Sequence, residues 1–289
     1  MKYCDLHIHS VASDGTFTPK QIVERARNYH LSGIAVADHD SIAAVEETAY
    51  LAKRAGIDFA PAIEISTGDL DGRMHILGYY IDIHNTKLAE LTEKQILARK
   101  DRVVKTCAIL TDLGFPSTYE DITKIAGDAA IGRPHIAEHL VNIGAVRNLL
   151  EAFHLYLAAG KQAYVHKWAP IPQIAIDVIH DAGGVAIAAH PGVTEGMLPK
   201  IPMLVDMGID GFEAYYPRHS HEAQEEIVAL ARKHDLVVTG GSDCHGIRRG
   251  DPLLGVFKTR YELMVKLRER WECKKLLNSS KGQSSEVAV

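Results

Sequence analysis

The 289-residue chain is 46% hydrophobic and 24% charged, a globular balance with length for one large domain or two modest ones, which excludes disorder as the dominant state. A formal net charge of -5 without any basic block argues against a broad cationic face for long duplex nucleic acid, and leaves small phosphorylated substrates open. The anomaly is 16 histidines, whose positions must decide whether they are ligands, acid–base groups or chance.

The opening Met1-Lys2-Tyr3-Cys4-Asp5 lacks the apolar stretch of a signal peptide, and no run reaches the ~18–20 apolar residues of a membrane span. A cytoplasmic chain without membrane contact is therefore expected. Cys4, Cys107, Cys244 and Cys273 are far apart and read as free thiols. Residues 3–8 read as a strand, followed by a helix whose N-cap is Thr18 and whose first residue is Pro19. A strand over 33–37 precedes a helix running from Asp40, as its cap, to about Ala55. Residues 57–65 and 74–81 read as two further strands. Strand signals then vanish between 87 and 167, where apolar residues recur at helical spacing, for example Ile96, Val103, Cys107 and Leu110. The alternation resumes with a helix after Pro172 and strands over 185–189, 211–215 and 236–239, separated by helices. The expected organisation is an α/β body over 1–86 and 168–270, a helical insertion over 87–167 and a flexible, polar tail over 271–289.

An open doubly wound sheet and a barrel are both compatible with this alternation. Acids and histidines recur at nearly every strand end: His7 and His9, Asp38-His39-Asp40, Glu64, His190, Glu213 with Tyr216, and Asp243 with His245. An open sheet gathers its site at one switch point, whereas a barrel brings every strand end to one mouth, so the barrel fits better.

In Asp5-Leu6-His7-Ile8-His9, two histidines two apart on a strand share a face and can bind one cation. Alone, H-x-H also occurs by chance on half-buried strands. Here Asp14 follows in a loop, where it also suits a turn before Gly15, and His39 ends the second strand. Glu64 ends an otherwise apolar strand, which is costly unless something cationic lies beside it. His75, His190, Asp243 and His245 complete the set. Imidazoles and carboxylates without thiolate favour manganese, zinc or iron over magnesium alone.

The ordered segments D-L-H-x-H-S, S-D-G, D-H-D, E-I-S, H-I-L-G, A-H-P and G-S-D-C-H resemble the PHP family, the polymerase-and-histidinol-phosphatase superfamily of metal-dependent phosphoesterases, over about residues 1–260. The inserted I-G-R-P-H-I-A at 131–137 resembles its nucleotide-directed branch of nucleoside 3',5'-bisphosphate phosphatases and 5'-to-3' exoribonucleases. The resemblance implies a distorted seven-stranded (β/α)7 TIM-like barrel with a helical insertion and two to three divalent ions, manganese first, with zinc or iron as alternatives. It implies that His7, His9, Glu64 and Asp243 hold one ion, that Glu64 bridges to a second held by His75 and His190, and that Asp14, His39 and His245 hold a third. Such a shell is net positive and suits an anion attacked by metal-activated water, with no protein nucleophile.

Substrate selection is expected from the insertion. Arg133 and His135 flank a proline that can aim both across the mouth, and arginine grips phosphate through a bidentate fork. Arg99 and Arg102, three apart on a helix, can take a second phosphate, or equally form a solvated face. Arg218 can reach the scissile phosphate, and Tyr216 can stack on a base. The leading expectation is removal of the 3'-phosphate from a nucleoside 3',5'-bisphosphate to leave the 5'-monophosphate; the alternative is 5'-to-3' cleavage of short 5'-phosphorylated RNA. Histidinol phosphate is disfavoured by the R-P-H segment. A metal-binding module without catalysis, or a zinc amidohydrolase or deaminase, are the readings from other classes.

Overall fold

In the computed structural model, which describes residues 1–69, 73–127 and 129–286 and leaves the side chains of 248, 249 and 278–286 undescribed, strand β1 (Tyr3–Ile8) pairs in parallel with β2 (Gly33–Val36). Between them, α1 (Pro19–Asn28) starts as expected. The Thr18 hydroxyl accepts the Gln21 N–H, and the Gln21 side chain accepts the Thr18 N–H. Helix α2 (Val45–Ala55) begins five residues later than the expected cap at Asp40, because Asp40 has φ +54° and its carboxylate is turned inward.

The single strand expected over 57–65 is two strands, β3 (Asp58–Phe59) and β4 (Ala62–Ser66), interrupted where Pro61 has no N–H for a ladder. They join different sheets. The first sheet has the order β3-β2-β1-β9, with β9 (Thr259–Arg260) antiparallel to β1. The second holds β4, β5 (His75–Tyr79), β6 (Val185–Ala188), β7 (Gly211–Tyr215) and β8 (Val237–Gly240) in chain order. Uniform parallel alternation fails at β5, which is antiparallel to both neighbours. The link between β4 and β5 is too short for a crossover helix, so the chain turns straight back.

The two sheets face each other across a shared apolar cluster containing Leu6, Ala35, Leu77, Tyr79 and Ile187, with the Tyr79 hydroxyl donating to the Leu6 carbonyl at 2.7 Å. Among the described residues, no continuous ladder closes them into a barrel. Isolated bridges cross the seams instead, Ile8 to Cys244 and His39 to Glu64. At these seams Asp40 and Asp243 have φ of +54° and +50°, conformations that stop a ladder and persist only where surrounding contacts enforce them.

Between β5 and α7 (Pro172–Asp181) the described elements are helical, namely α3 (Thr86–Asp112), α4 (Tyr119–Ala126), α5 (Arg133–Asn142) and α6 (Leu149–Ala152), the last continuing as a π-helical turn over Phe153–Leu157, after which residues 158–171 run without helix or strand. Val103, Leu110, Ile122, Ile136 and Leu140 give it an apolar cluster of its own. Helices α8 (Ile201–Asp206) and α9 (His221–Lys233) separate the later strands. The tail expected from 271 instead starts as part of α10 (Glu262–Glu286). Trp271 stacks on Tyr80 at 5.0 Å between ring centroids, and Lys274 pairs with Asp210 at 2.7 Å, contacts that hold this stretch against the body. The last three residues of the expected tail lie outside the described residues. No helix among the described residues is long and apolar enough to cross a membrane.

Candidate metal centre and anion pocket

All nine predicted ligands converge at one end of the two sheets. His7 and His9 come from the end of β1, Asp14 from the loop after it, His39 from the seam beyond β2, and Glu64 from β4. His190, Asp243 and His245 follow β6 and β8. His75 opens rather than closes its strand, and reaches the same end because β5 runs the opposite way.

Glu64 is fully buried at the middle. Its Oε2 lies 3.3 Å from His7 Nε2, 3.2 Å from His9 Nε2 and 2.9 Å from His39 Nδ1, and its Oε1 lies 2.9 Å from His75 Nδ1 and 3.2 Å from His190 Nε2. Asp243 Oδ1 is 3.0 Å from His9 Nε2, and Asp14 Oδ1 is 3.2 Å from His245 Nε2. Candidate donor atoms fall into three groups, each within 4.8 Å: His9, Asp14, His39 and His245; His7, His9 and Asp243; and His39, Glu64 and His75. His9 and His39 thus each stand between two groups, a sharing that the motif order alone did not suggest.

These atoms fit divalent ions. The Nε2 atoms of His7 and His9 are 3.1 Å apart, a separation expected of two donors each ~2.1 Å from one ion at an angle between octahedral and tetrahedral. His9 Nδ1, His39 Nδ1 and Glu64 Oε2 are buried and make no hydrogen bond of good geometry among the described residues, a cost that a bound cation removes. Burial pushes the His39 imidazole down to about 4. Burial raises the Glu64 carboxyl, but His39, His75 and His7 outweigh it and hold the group well below the usual range, so it is ionised.

Outside the predicted ligands, buried carboxylates brace the site. Glu213 accepts from His7 Nδ1 at 3.0 Å through one oxygen and from the His190 N–H at 2.9 Å through the other. Asp38 accepts the Ser10 N–H at 2.8 Å and the hydroxyls of Ser10 and Ser13, tying down the loop that carries Asp14. Asp5 accepts the Ser242 N–H at 2.8 Å beside Asp243. Gly241 packs on His7 so closely that a Cβ would enter its backbone. Glu213→Gln has one acceptor oxygen for two donors, so one of His7 and His190 loses its support. Divalent-metal affinity should fall about 10–100-fold with an unchanged circular dichroism spectrum, and unchanged affinity would remove Glu213 from this role.

A cavity of about 210 Å³ adjoins the centre at Asp14, His39 and His75 and is lined by Arg99, Arg102, Arg133 and Lys167. On α3 the buried face runs from Leu88 and Leu91 through Gln95, Arg99 and Arg102 to Val103 and Leu110, so its polar middle points into the site rather than into solvent. Asp40 is the acid at this cluster. It accepts from Arg99 Nε and Lys167 Nζ, both at 2.9 Å, and from Gln95 at 2.6 Å and the Ser66 N–H at 2.8 Å. Burial opposes its ionisation, yet Lys167 and Arg99 hold it well below the usual carboxylate range. Arg102 makes no hydrogen bond or ion pair among the described residues, and burial followed by Arg99 and Arg133 lowers its pKa. Burial brings Lys167 down to about 7. Four basic side chains against two carboxylates, Asp14 on the cavity wall and Asp40 paired with Arg99 and Lys167, leave a surplus of positive charge that suits an anion.

Other expectations change. His135 is buried and does not look across the mouth; its Nδ1 accepts the Gly132 N–H at 3.1 Å and caps α5. Tyr216 is packed on His190 and His219, and its hydroxyl donates to Asp243 at 2.8 Å, so it supports a predicted ligand instead of offering a free face to a base. Arg218 donates to the Tyr216 hydroxyl and also borders a cavity with His75, His190 and Asp243, near the expected scissile phosphate. Lys167, Tyr164 and Phe153 were not singled out in the sequence; they follow no local motif, and only the fold brings them to the pocket.

A model of the PHP domain family matches residues 5–167. Over 252 residues, 84% of this chain and 90% of the relative, the chain is 38% identical to a 5'-3' exoribonuclease of Haemophilus influenzae. It is 32% identical over 256 residues to a 3',5'-nucleoside bisphosphate phosphatase of Chromobacterium violaceum, covering 86% of this chain and 90% of that one. A crystal structure from Bifidobacterium adolescentis, described as a candidate metal-dependent phosphoesterase, superposes with a TM-score of 0.84 at 32% identity, over 92% of this chain and 96% of that one.

Proposed function

The chain belongs to the PHP family of phosphoesterases, and from that premise we propose that it hydrolyses the ester at the 3'-oxygen of nucleotides that also carry a 5'-phosphate. Nucleoside 3',5'-bisphosphates are the leading substrates. The observation that carries this reading is that Arg99, Arg102, Arg133 and Lys167 line one cavity with Asp14, two of them paired with Asp40, beside nine convergent candidate ligand residues. One phosphate goes to the ligand centre and the other to the cations, so the pair of sites reads two anions joined by a ribose.

His7, His9, Glu64 and Asp243 would hold one ion, His75 and His190 with Glu64 a second, and Asp14, His39 and His245 a third, with manganese preferred over zinc or iron. Bound divalent ions supply Lewis-acid charge and activate water near neutral pH. The protein does the rest: Glu213 and Tyr216 hold the His7 and Asp243 side chains, Asp38 ties down the loop that carries Asp14, and the arginine cluster fixes the 5'-phosphate so that the 3'-ester is presented in register. In this reading β1, β2 and β4 to β8 are the staves of an incompletely closed seven-stranded barrel, and residues 87–167 are its substrate cap.

Short 5'-phosphorylated RNA presents the same two groups and is the second reading, favoured by an apolar cavity next to Asp243 and His245. Metal-loaded protein should release phosphate from adenosine 3',5'-bisphosphate at least about 10²-fold more efficiently than from 5'-AMP or histidinol phosphate. Equal rates on all three would defeat the proposal.

A further inference from the structure

His190 lies just beyond β6 and directly before Pro191, with φ +34°, a conformation that a residue with a side chain keeps only where surrounding contacts enforce it. Three contacts do so. Glu213 accepts the His190 N–H. His219 braces the next turn: its Nδ1 donates to the Ala214 carbonyl at 2.8 Å, so its Nε2 carries the lone pair that accepts the Gly192 N–H at 3.1 Å. A Cβ on Gly192 would come within 2.9 Å of that ring, so the glycine is what admits it. The third contact is the buried Thr194, whose Oγ1 lies 3.1 Å from His190 Nδ1 and 3.3 Å from the His190 carbonyl oxygen.

This third contact selects a form of the ring. A neutral imidazole has one proton for two nitrogens, and only the nitrogen without it can bind a cation. A carbonyl oxygen can only accept, so the Thr194 hydroxyl gives its proton there and keeps its lone pairs for a proton on His190 Nδ1. Nε2 is then the bare nitrogen. It faces the centre, 3.2 Å from Glu64 Oε1, and two acceptors at that separation are satisfied by a cation between them. His7 is arranged in the same way with a stronger partner: Nδ1 donates to Glu213, and Nε2 lies 3.3 Å from Glu64 Oε2. Among the described residues no carboxylate hydrogen-bonds His190 Nδ1, and the Thr194 hydroxyl takes that place.

Resting on the reading of His190 as a metal ligand, we propose that Thr194 is a positioning residue whose hydroxyl holds the His190 imidazole in the Nδ1-protonated form and in the orientation that offers Nε2 to a divalent ion. Without the hydroxyl, the ring can place its proton on Nε2, where Glu64 accepts it, and an arriving ion must displace that proton. The cost falls on metal affinity, while the backbone contacts of Glu213 and His219 keep the loop in place.

The test separates the hydroxyl from the shape of the side chain. Thr194→Val keeps the branch and removes the hydroxyl, whereas Thr194→Ser keeps the hydroxyl and removes a methyl group. Manganese alone is titrated into metal-free wild-type and variant protein, with affinity read by calorimetry. Thr194→Val should bind at least one ion about 10–100-fold more weakly with an unchanged circular dichroism spectrum, and Thr194→Ser should stay within about threefold of wild type. A packing role predicts the reverse order, with serine the more damaging. In the zinc-loaded wild type, the His190 Nδ1 proton should give a persistent nuclear magnetic resonance signal that is absent from His190→Ala. Wild-type affinity in Thr194→Val, an equal loss in Thr194→Ser, or a His190 ring protonated on Nε2 in the zinc-loaded protein would each overturn the proposal. Unchanged manganese affinity and stoichiometry in His190→Ala would instead overturn the ligand reading on which it rests.

Discussion

Glu64→Gln should lower kcat/KM for phosphate release by about 10³-fold or more and reduce the number of divalent ions retained. Its two oxygens are within 3.3 Å of nitrogens on His7, His9, His39, His75 and His190, so one neutral amide removes the negative charge from every one of these contacts. The substitution preserves shape, and the residue lies in a ladder with β5 whose backbone bonds do not depend on the carboxylate. Metal content and activity measured on one preparation check the prediction. Full activity with unchanged metal content would remove Glu64 from the bridging role.

Arg102→Met should give a protein that is more stable and less active. Burial and the neighbouring Arg99 and Arg133 make the charged form of Arg102 costly, and no acid pairs with it among the described residues. Replacing a buried, uncompensated cation with an apolar side chain of similar length is expected to stabilise the substrate-free protein by about 1–2 kcal/mol, read as a higher midpoint in urea. The same change removes a charge-assisted contact to the substrate's 5'-phosphate, at an expected cost of about 1.5–3 kcal/mol, or roughly 10–150-fold in kcat/KM. Loss of both stability and activity would mark Arg102 as a structural residue instead.

The convergence of the nine candidate ligands was legible in part because most of them lie at or just beyond a strand end, where an acid or histidine next to an apolar run has no inexpensive explanation; Asp14, in a loop, stood out only through the motif. The centre's second layer was not legible. Glu213 stood out as an acid at a strand end, yet nothing in the chain says that it will meet His7, 206 positions away. Lys167 has no motif around it, and Asp40 read naturally as a helix cap, because capping and ion pairing call for the same residue type. His135 was misread for a related reason: R-P-H marks both a phosphate-facing turn and a helix start, and packing selected the second role for the histidine. The sheets likewise depart from uniform βα alternation where Pro61 splits a strand and a short link reverses the chain into β5, local events with long-range consequences for which end of β5 carries its ligand.

The most direct measurement crosses the substrate's 5'-phosphate with Arg102: kcat/KM for adenosine 3',5'-bisphosphate and for adenosine 3'-monophosphate, each on metal-loaded wild-type and Arg102→Met protein. The expected result is strong coupling, with the 5'-phosphate raising efficiency by about 10²-fold or more in the wild type and by less than about tenfold in the variant. An equal 5'-phosphate effect in both proteins would contradict the reading of two anions held side by side.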